Sequence, residues 1–160
     1  KIAGAANPPL VVLGLGSNQG DSRLILAGAI EKLGKILQGI KAASISETEP
    51  RYVTDQPRFL NTAVSGFCTL SPRELLDAAQ TIEALYGRDR RRERRWGERT
   101  LDIDILLFGG LVFSDPPLLQ IPHPRLNERR FALEPLVELI PGARDPVSGR
   151  LFHDILAEIV

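Results

Sequence analysis

Methionine is absent from this 160-residue chain, and cysteine and tryptophan occur once each. With no methionine anywhere, Lys1 is not a native start, and the chain is expected to have been trimmed or cut from something longer. The lone Cys68 cannot form an internal disulfide, which excludes a disulfide-stapled scaffold and agrees with a reducing, cytoplasmic setting. No apolar run reaches transmembrane length, and the first nine residues lack the apolar core of a signal peptide, so no membrane role is expected. An excess of either charge is missing as well: 20 Lys and Arg balance 20 Asp and Glu, for a formal net charge of zero. A dedicated nucleic-acid binder is normally basic overall, so no nucleic-acid partner is expected and any arginine run is a local device. The chain also lacks a serine–histidine–acid signature, a Cys/His metal cluster, a Walker A sequence, an internal repeat and a low-complexity tract. Its length suits one domain over residues 1–160 with a proper core.

What is present is concentrated in one stretch. Residues 101–108 (LDIDILLF) have the apolar, β-branched character of a buried strand. Strand side chains alternate between faces, so Asp102 and Asp104 point the same way, about 6–7 Å apart along the strand. Two partly buried carboxylates repel each other and are costly to keep ionised. A divalent cation removes that conflict, and Mg²⁺ takes one or two carboxylates while filling its other sites with water and substrate phosphates. Just upstream lie Arg88, Arg90, Arg91, Arg92, Arg94, Arg95 and Arg99, a dense supply of forked guanidinium donors for phosphate. Either feature alone has a bland explanation: an Asp-x-Asp can guard a sheet edge, and an arginine run can be a solvated loop. Adjacent, with Trp96 and Gly97 at the join, they point to metal-assisted phosphoryl-type transfer from a nucleoside triphosphate.

The rest of the chain supplies a frame. Leu10–Leu15 reads as a first strand, followed by a helix capped by Asp21 and running to about Gln38, with Leu26, Ile30, Leu33 and Leu37 on one stripe. Gly14-Leu15-Gly16 misses the dinucleotide fingerprint spacing and reads as a tight strand-to-helix turn. Lys41–Thr48 reads as a second strand, residues 49–58 as a loop, and Phe59–Leu70 as a third strand. Ser71-Pro72-Arg73-Glu74 is a capping box opening a helix with Leu75, Ala79, Ile82 and Tyr86 on its core stripe, stopped at Gly87. Gln80 and Glu83 share a face of that helix, off the core stripe. After the 101–108 strand come a turn at Gly109-Gly110, a short strand near Leu111–Phe113, a proline-rich loop over 116–124, and helices at Arg130–Leu139 and Leu151–Ile159. The leading order β-α-β-β-α-β predicts an α+β, ferredoxin-like core: a mostly antiparallel sheet with the first two helices on one face.

These residues resemble one family. Gly16-Ser17-Asn18, Thr48-Glu49-Pro50, Gln56 through Asn61, the Arg95–Ile105 block, Pro122-His123 and Arg129-Arg130-Phe131 occur in the order found in the 6-hydroxymethyl-7,8-dihydropterin pyrophosphokinases, and they span nearly the whole chain. The resemblance implies a ferredoxin-like fold and an ATP-dependent transfer of diphosphate to a dihydropterin alcohol, with AMP released, in folate biosynthesis. It implies that Asp102 and Asp104 hold two Mg²⁺ ions, and that Arg88 and Arg99 act on the phosphates. It makes Phe59 and Phe131 the rings that sandwich the pterin, with Asn61 reading its polar edge and the backbone from Thr48 to Arg51 completing the pocket. Gln80, Glu83, Arg88, Arg99, Ile105, His123 and Arg129 match ATP-contacting positions, as does one of Arg90 and Arg91, and Trp96 sits in the loop that closes over the site. A neighbouring folate-pathway enzyme, fused or docked, is the partner that the resemblance allows. Ser46 stands where the family often has an aromatic residue, and Leu118 and Pro124 where some members have arginine and tyrosine. Two other readings remain: a catalytically silent domain within a larger folate enzyme, and a ferredoxin-like RNA-binding module, which would leave the aspartate pair without a role.

Overall fold

The computed structural model describes residues 7–48, 58–87 and 100–159. The chain opens with β1 (Leu10–Ser17), α1 (Ser22–Leu33), β2 (Leu37–Ala42) and β3 (Ser46–Thr48), followed by β4 (Phe59–Cys68), α2 (Pro72–Leu85) and β5 (Asp102–Phe108). It closes with a hairpin of β6 (Phe113–Asp115) and β7 (Leu119–Ile121), a 3-10 turn at Leu126–Glu128, α3 (Arg130–Leu139) and α4 (Phe152–Ala157). The main sheet runs β2-β4-β1-β5, with β3 beside β4, and every neighbouring pair in it is antiparallel. That order and the two helices returning to one face make the core α+β and ferredoxin-like.

Local chemistry sets the helix ends. The Asp21 side chain accepts the Leu24 N–H at 3.3 Å and caps α1, while Gly20 turns the chain before it with φ +74°. At α2 the Ser71 hydroxyl accepts from the Glu74 N–H at 3.1 Å, and Glu74 accepts from the Ser71 N–H at 2.9 Å, closing the box the sequence predicts.

Several boundaries differ from expectation, three of them by more than a residue or two or by a change of partner. The first helix stops at Leu33 rather than Gln38, and Leu37 belongs to β2, where it pairs with Cys68. An apolar residue four places after Leu33 fits a helical stripe and a buried strand equally well, and pairing with β4 decides for the strand. The second strand is two pieces, because at the break the Ser44 N–H is taken by the Glu138 carboxylate of α3 at 2.9 Å instead of by the sheet. Beyond Gly109-Gly110 the strand is Phe113–Asp115 rather than Leu111–Phe113, and the proline-rich segment supplies its partner, Leu119–Ile121. The prolines at 116 and 117 take the turn and leave the next residues free to pair.

The two faces of the sheet carry separate cores. Leu26, Ala29 and Leu33 of α1 and Leu75, Ala79 and Ile82 of α2 pack on Val11, Leu13, Leu15, Ile103 and Ile105. On the other face Leu133 and Leu136 of α3 and Phe152 and Ile155 of α4 cover Val12, Ala63 and Leu106. Each fully buried Leu or Phe side chain contributes roughly 1.5–3 kcal/mol through burial. Because α3 and α4 cover only part of that second face, the sheet is left partly open where Asp102 and Asp104 project, with the buried Asn61 beside them. Among the described residues no helix is long and apolar enough to cross a membrane.

Candidate active site

The floor of the uncovered region follows from strand register. In β1, Gly16 stands opposite Asn61 of β4 on one side and opposite Asp102 of β5 on the other. One pleat along, Gly14 stands between Ala63 and Asp104. Side chains directly across a sheet share a face, so a residue with a Cβ at 14 or 16 would project into the same space as the aspartates and Asn61. The two glycines keep it open: a Cβ on Gly16 would lie 3.1 Å from Asn61 Oδ1, and one on Gly14 3.3 Å from a Leu106 methyl. Both glycines lie within the strand, not in the turn the sequence suggested; the turn is at Gly20. Alternate glycines in an otherwise apolar strand were the available sign of a bare face.

The result is a cleft floored by Gly14 and the aspartates and walled by His123, Arg129 and Phe131. Asp102 and Asp104 both line it, while Ile103 and Ile105 between them are 3% and 5% exposed in the core beneath. The alternation the sequence predicts therefore holds. Asp104 keeps 32% of its side chain exposed, enough for a carboxylate to take an ion that is also bound by water or substrate. Among the described residues no three His, Cys, Asp or Glu side chains are grouped so that they could hold a metal ion by themselves. A cation here would rest on the two aspartates and oxygens from outside the chain, which suits Mg²⁺ better than zinc or copper.

His123 forms the wall beside Asp104, its Nε2 4.0 Å from Asp104 Oδ2. Its Nδ1 accepts the Arg125 main-chain N–H at 3.2 Å, so the ring proton of the neutral form sits on Nε2 and faces the cleft. Burial, then the Arg129 charge, pushes its pKa down to about 4, with Asp102 pulling the other way. The ring is thus a neutral hydrogen-bond donor at physiological pH, not a cation.

At the other end, Asn61 is 7% exposed, and its Nδ2 donates to the Thr48 hydroxyl at 2.8 Å. Phe59, two residues earlier in β4, projects from the face that carries Asn61. Phe131, in the first turn of α3, lines the cleft with the Arg129 guanidinium 5.5 Å from its ring centroid. Past His123 a second, shallower hollow opens between the β6–β7 hairpin and the loop at Asp145.

The structure thus brings Asp102, Asp104, Asn61, His123, Arg129 and Phe131 to one cleft, with Thr48 bonded to Asn61. Gln80 and Glu83 part company: Gln80 is exposed on α2, whereas Glu83 is 2% exposed and accepts the Ile103 N–H at 2.8 Å. The Ile105 side chain lies in the core, which leaves only its main chain to meet a nucleotide. Arg88, Arg90, Arg91, Trp96 and Arg99, and the loop after Thr48, lie outside the described residues.

The family model for 7,8-dihydro-6-hydroxymethylpterin-pyrophosphokinase matches residues 12–141. The chain is 43% identical over 150 residues to the 2-amino-4-hydroxy-6-hydroxymethyldihydropteridine pyrophosphokinase of Methylorubrum extorquens, covering 92% of this chain and 91% of that protein. It is 45% identical over 147 residues to a mitochondrial folate synthesis bifunctional protein of Arabidopsis thaliana, covering 91% of this chain but 26% of the relative. The Plasmodium falciparum HPPK-DHPS crystal structure shares its fold, with a TM-score of 0.74 at 16% identity, over 98% of this chain and 45% of that one. A family match over most of the chain, on a sheet that presents the aspartate pair, Asn61 and Phe131 to one cleft, has one reading: the chain belongs to the 7,8-dihydro-6-hydroxymethylpterin-pyrophosphokinase family.

Proposed function

We propose that this protein transfers diphosphate from ATP to the hydroxymethyl group of 6-hydroxymethyl-7,8-dihydropterin and releases AMP. The observation that carries the proposal is the row Asn61–Gly16–Asp102 across three strands. Two strand spacings put the Asn61 and Asp102 backbones about 10 Å apart. That span suits a flat ring whose polar edge meets Asn61 and whose hydroxymethyl arm reaches the phosphates near the aspartates.

The pterin end is built for a heteroaromatic ring. Asn61 offers an amide that pairs with a donor–acceptor edge, and Phe131 and Phe59 offer faces for stacking. At the other end, Asp102 and Asp104 would hold magnesium, two ions by the family resemblance. Bound there, it supplies neutralisation of phosphate charge and Lewis acidity at the oxygens it touches. Arg129 and the Nε2–H of His123 face the same space as donors to phosphate oxygens, and Arg88, Arg99 and one of Arg90 and Arg91 would add charge from the 88–99 segment. Gln80, the Ile105 main chain and the hollow past His123 would receive the nucleoside end, with Trp96 closing over it.

In the transfer, the hydroxymethyl oxygen forms a bond to the β-phosphorus as the bond from that phosphorus to the oxygen leading to the α-phosphate breaks. AMP leaves with that oxygen, and the hydroxyl proton passes to solvent. Such a step needs alignment and charge compensation more than a strong base, which fits a cleft of donors and carboxylates around a neutral histidine. The bifunctional relatives support a further folate-synthesis enzyme, fused or docked, as a partner.

The test is product analysis with ATP labelled at the β-phosphorus. Label in a pterin diphosphate, with AMP in equal amount, supports the proposal. Label left in ADP means single phosphoryl transfer and refutes it.

A further inference from the structure

Glu83 is a buried charged side chain behind the strand that carries the aspartates, and the chemistry above does not use it. It sits in the last turn of α2, 2% exposed, and one of its partners is the main-chain N–H of Ile103 at 2.8 Å. Ile103 is the residue between Asp102 and Asp104. A bond to a carboxylate is roughly twice as strong as one between neutral groups.

The strand it grips needs such a hold. Among the described residues β5 is the end strand of the sheet and pairs with β1 alone. Along its outer edge, two contacts flank Asp104: the Glu83 carboxylate on the Ile103 N–H, and the His123 N–H on the Leu106 carbonyl at 3.1 Å. Asp102 and Asp104 repel each other on one face of this strand, and that strain favours twisting it away from the geometry in which both can face one ion. Beneath, Ile103 and Ile105 anchor it only through apolar packing, which resists lifting better than sliding. Among the described residues no group of three acidic, histidine or cysteine side chains could hold a metal ion, and Glu83 does not line the cleft, so it acts through the peptide rather than as a third ligand.

We infer that Glu83 is a positioning residue for the carboxylate pair: its buried side chain fixes the Ile103 peptide and thereby the spacing and direction of Asp102 and Asp104. The inference rests on the reading that those two aspartates hold the metal.

The test compares the wild type with Glu83→Gln, which keeps a carbonyl acceptor, and Glu83→Leu, which removes it. Mn²⁺ is titrated calorimetrically into each protein with a non-hydrolysable ATP analogue present, and melting curves are recorded alongside. Glu83→Leu should weaken Mn²⁺ binding by about tenfold or more, while Glu83→Gln recovers most of the loss. Unchanged Mn²⁺ binding in Glu83→Leu overturns the proposal, and so does a Glu83→Gln protein as weak as Glu83→Leu, since charge rather than the acceptor would then matter. Should Glu83→Leu fail to fold, amide exchange decides: Ile103 should be protected in the wild type and in Glu83→Gln, and rapid exchange in the wild type overturns the assignment. A wild type that binds no Mn²⁺ removes the metal reading itself, an outcome distinct from normal wild-type binding with an indifferent Leu variant.

Discussion

Asn61 and Asp102 face each other across a single residue, Gly16, whose missing Cβ leaves the space between them open. Each sits on a different strand, so the distance between the Asn61 end and the aspartate end of the cleft is fixed by sheet geometry rather than by a loop. A substrate that spans them is held by two rigid elements at once, which is the arrangement that converts binding into alignment.

Gly16→Ala tests that floor. The added methyl meets Asn61 Oδ1 at 3.1 Å, so the amide must give by a few tenths of an ångström. The KM for the dihydropterin should rise about threefold to tenfold, the range of one impaired hydrogen bond, with the KM for ATP unchanged. Steady-state kinetics with each substrate varied decides it; an unaltered pterin KM shows that Asn61 does not read the ring.

Thr48 should matter through Asn61. Its hydroxyl takes the Asn61 Nδ2 proton at 2.8 Å and so fixes which way the amide turns. Thr48→Val keeps the shape, loses the bond and should weaken pterin binding by a similar factor, and Thr48→Ser should restore it. Equal effects of the two variants would place the role of Thr48 elsewhere.

Phe131→Ala should weaken the pterin about tenfold and leave the KM for ATP within about twofold, because a stacked ring contributes up to about 1.5 kcal/mol beyond its buried area. Equilibrium binding of the dihydropterin checks this. Unchanged affinity removes Phe131 from the stack.

The His123 pKa, pushed down to about 4, has a sign that can be checked. The folded protein holds the ring neutral where the unfolded chain, at its ordinary value near 6.5, begins to bind a proton. The unfolded state therefore takes up more protons between about pH 6.5 and 4, and this stabilising contribution, complete above 6.5, is lost as pH falls through that window. NMR of the ring should show a midpoint near 4 in the metal-free protein, and one near 6.5 would contradict the buried, neutral donor.

How much of this was legible in the sequence varied with the range of the interaction. The common face of Asp102 and Asp104 follows from strand alternation alone. The capping box at Ser71 and Glu74 was legible for the same reason, since it is complete within four residues. Leu37 was not: its spacing serves a helix or a strand, and only pairing with Cys68, far along the chain, decides. The burial of Glu83 was equally hidden, because it depends on how close α2 comes to β5. Gly14 and Gly16 carried a signal that pointed to a turn until the register showed what lies on either side of them.

The most direct test of the account is AMP release from ATP by the wild type and by Asp104→Ala, with magnesium, and with or without 6-hydroxymethyl-7,8-dihydropterin. The wild type should form AMP only when both pterin and magnesium are present. Asp104→Ala should lose about a thousandfold in rate while staying folded, since it removes a phosphate-side charge site from the cleft and nothing from the apolar core. AMP formed without the pterin, or near-normal turnover by Asp104→Ala, would contradict diphosphate transfer at this cleft.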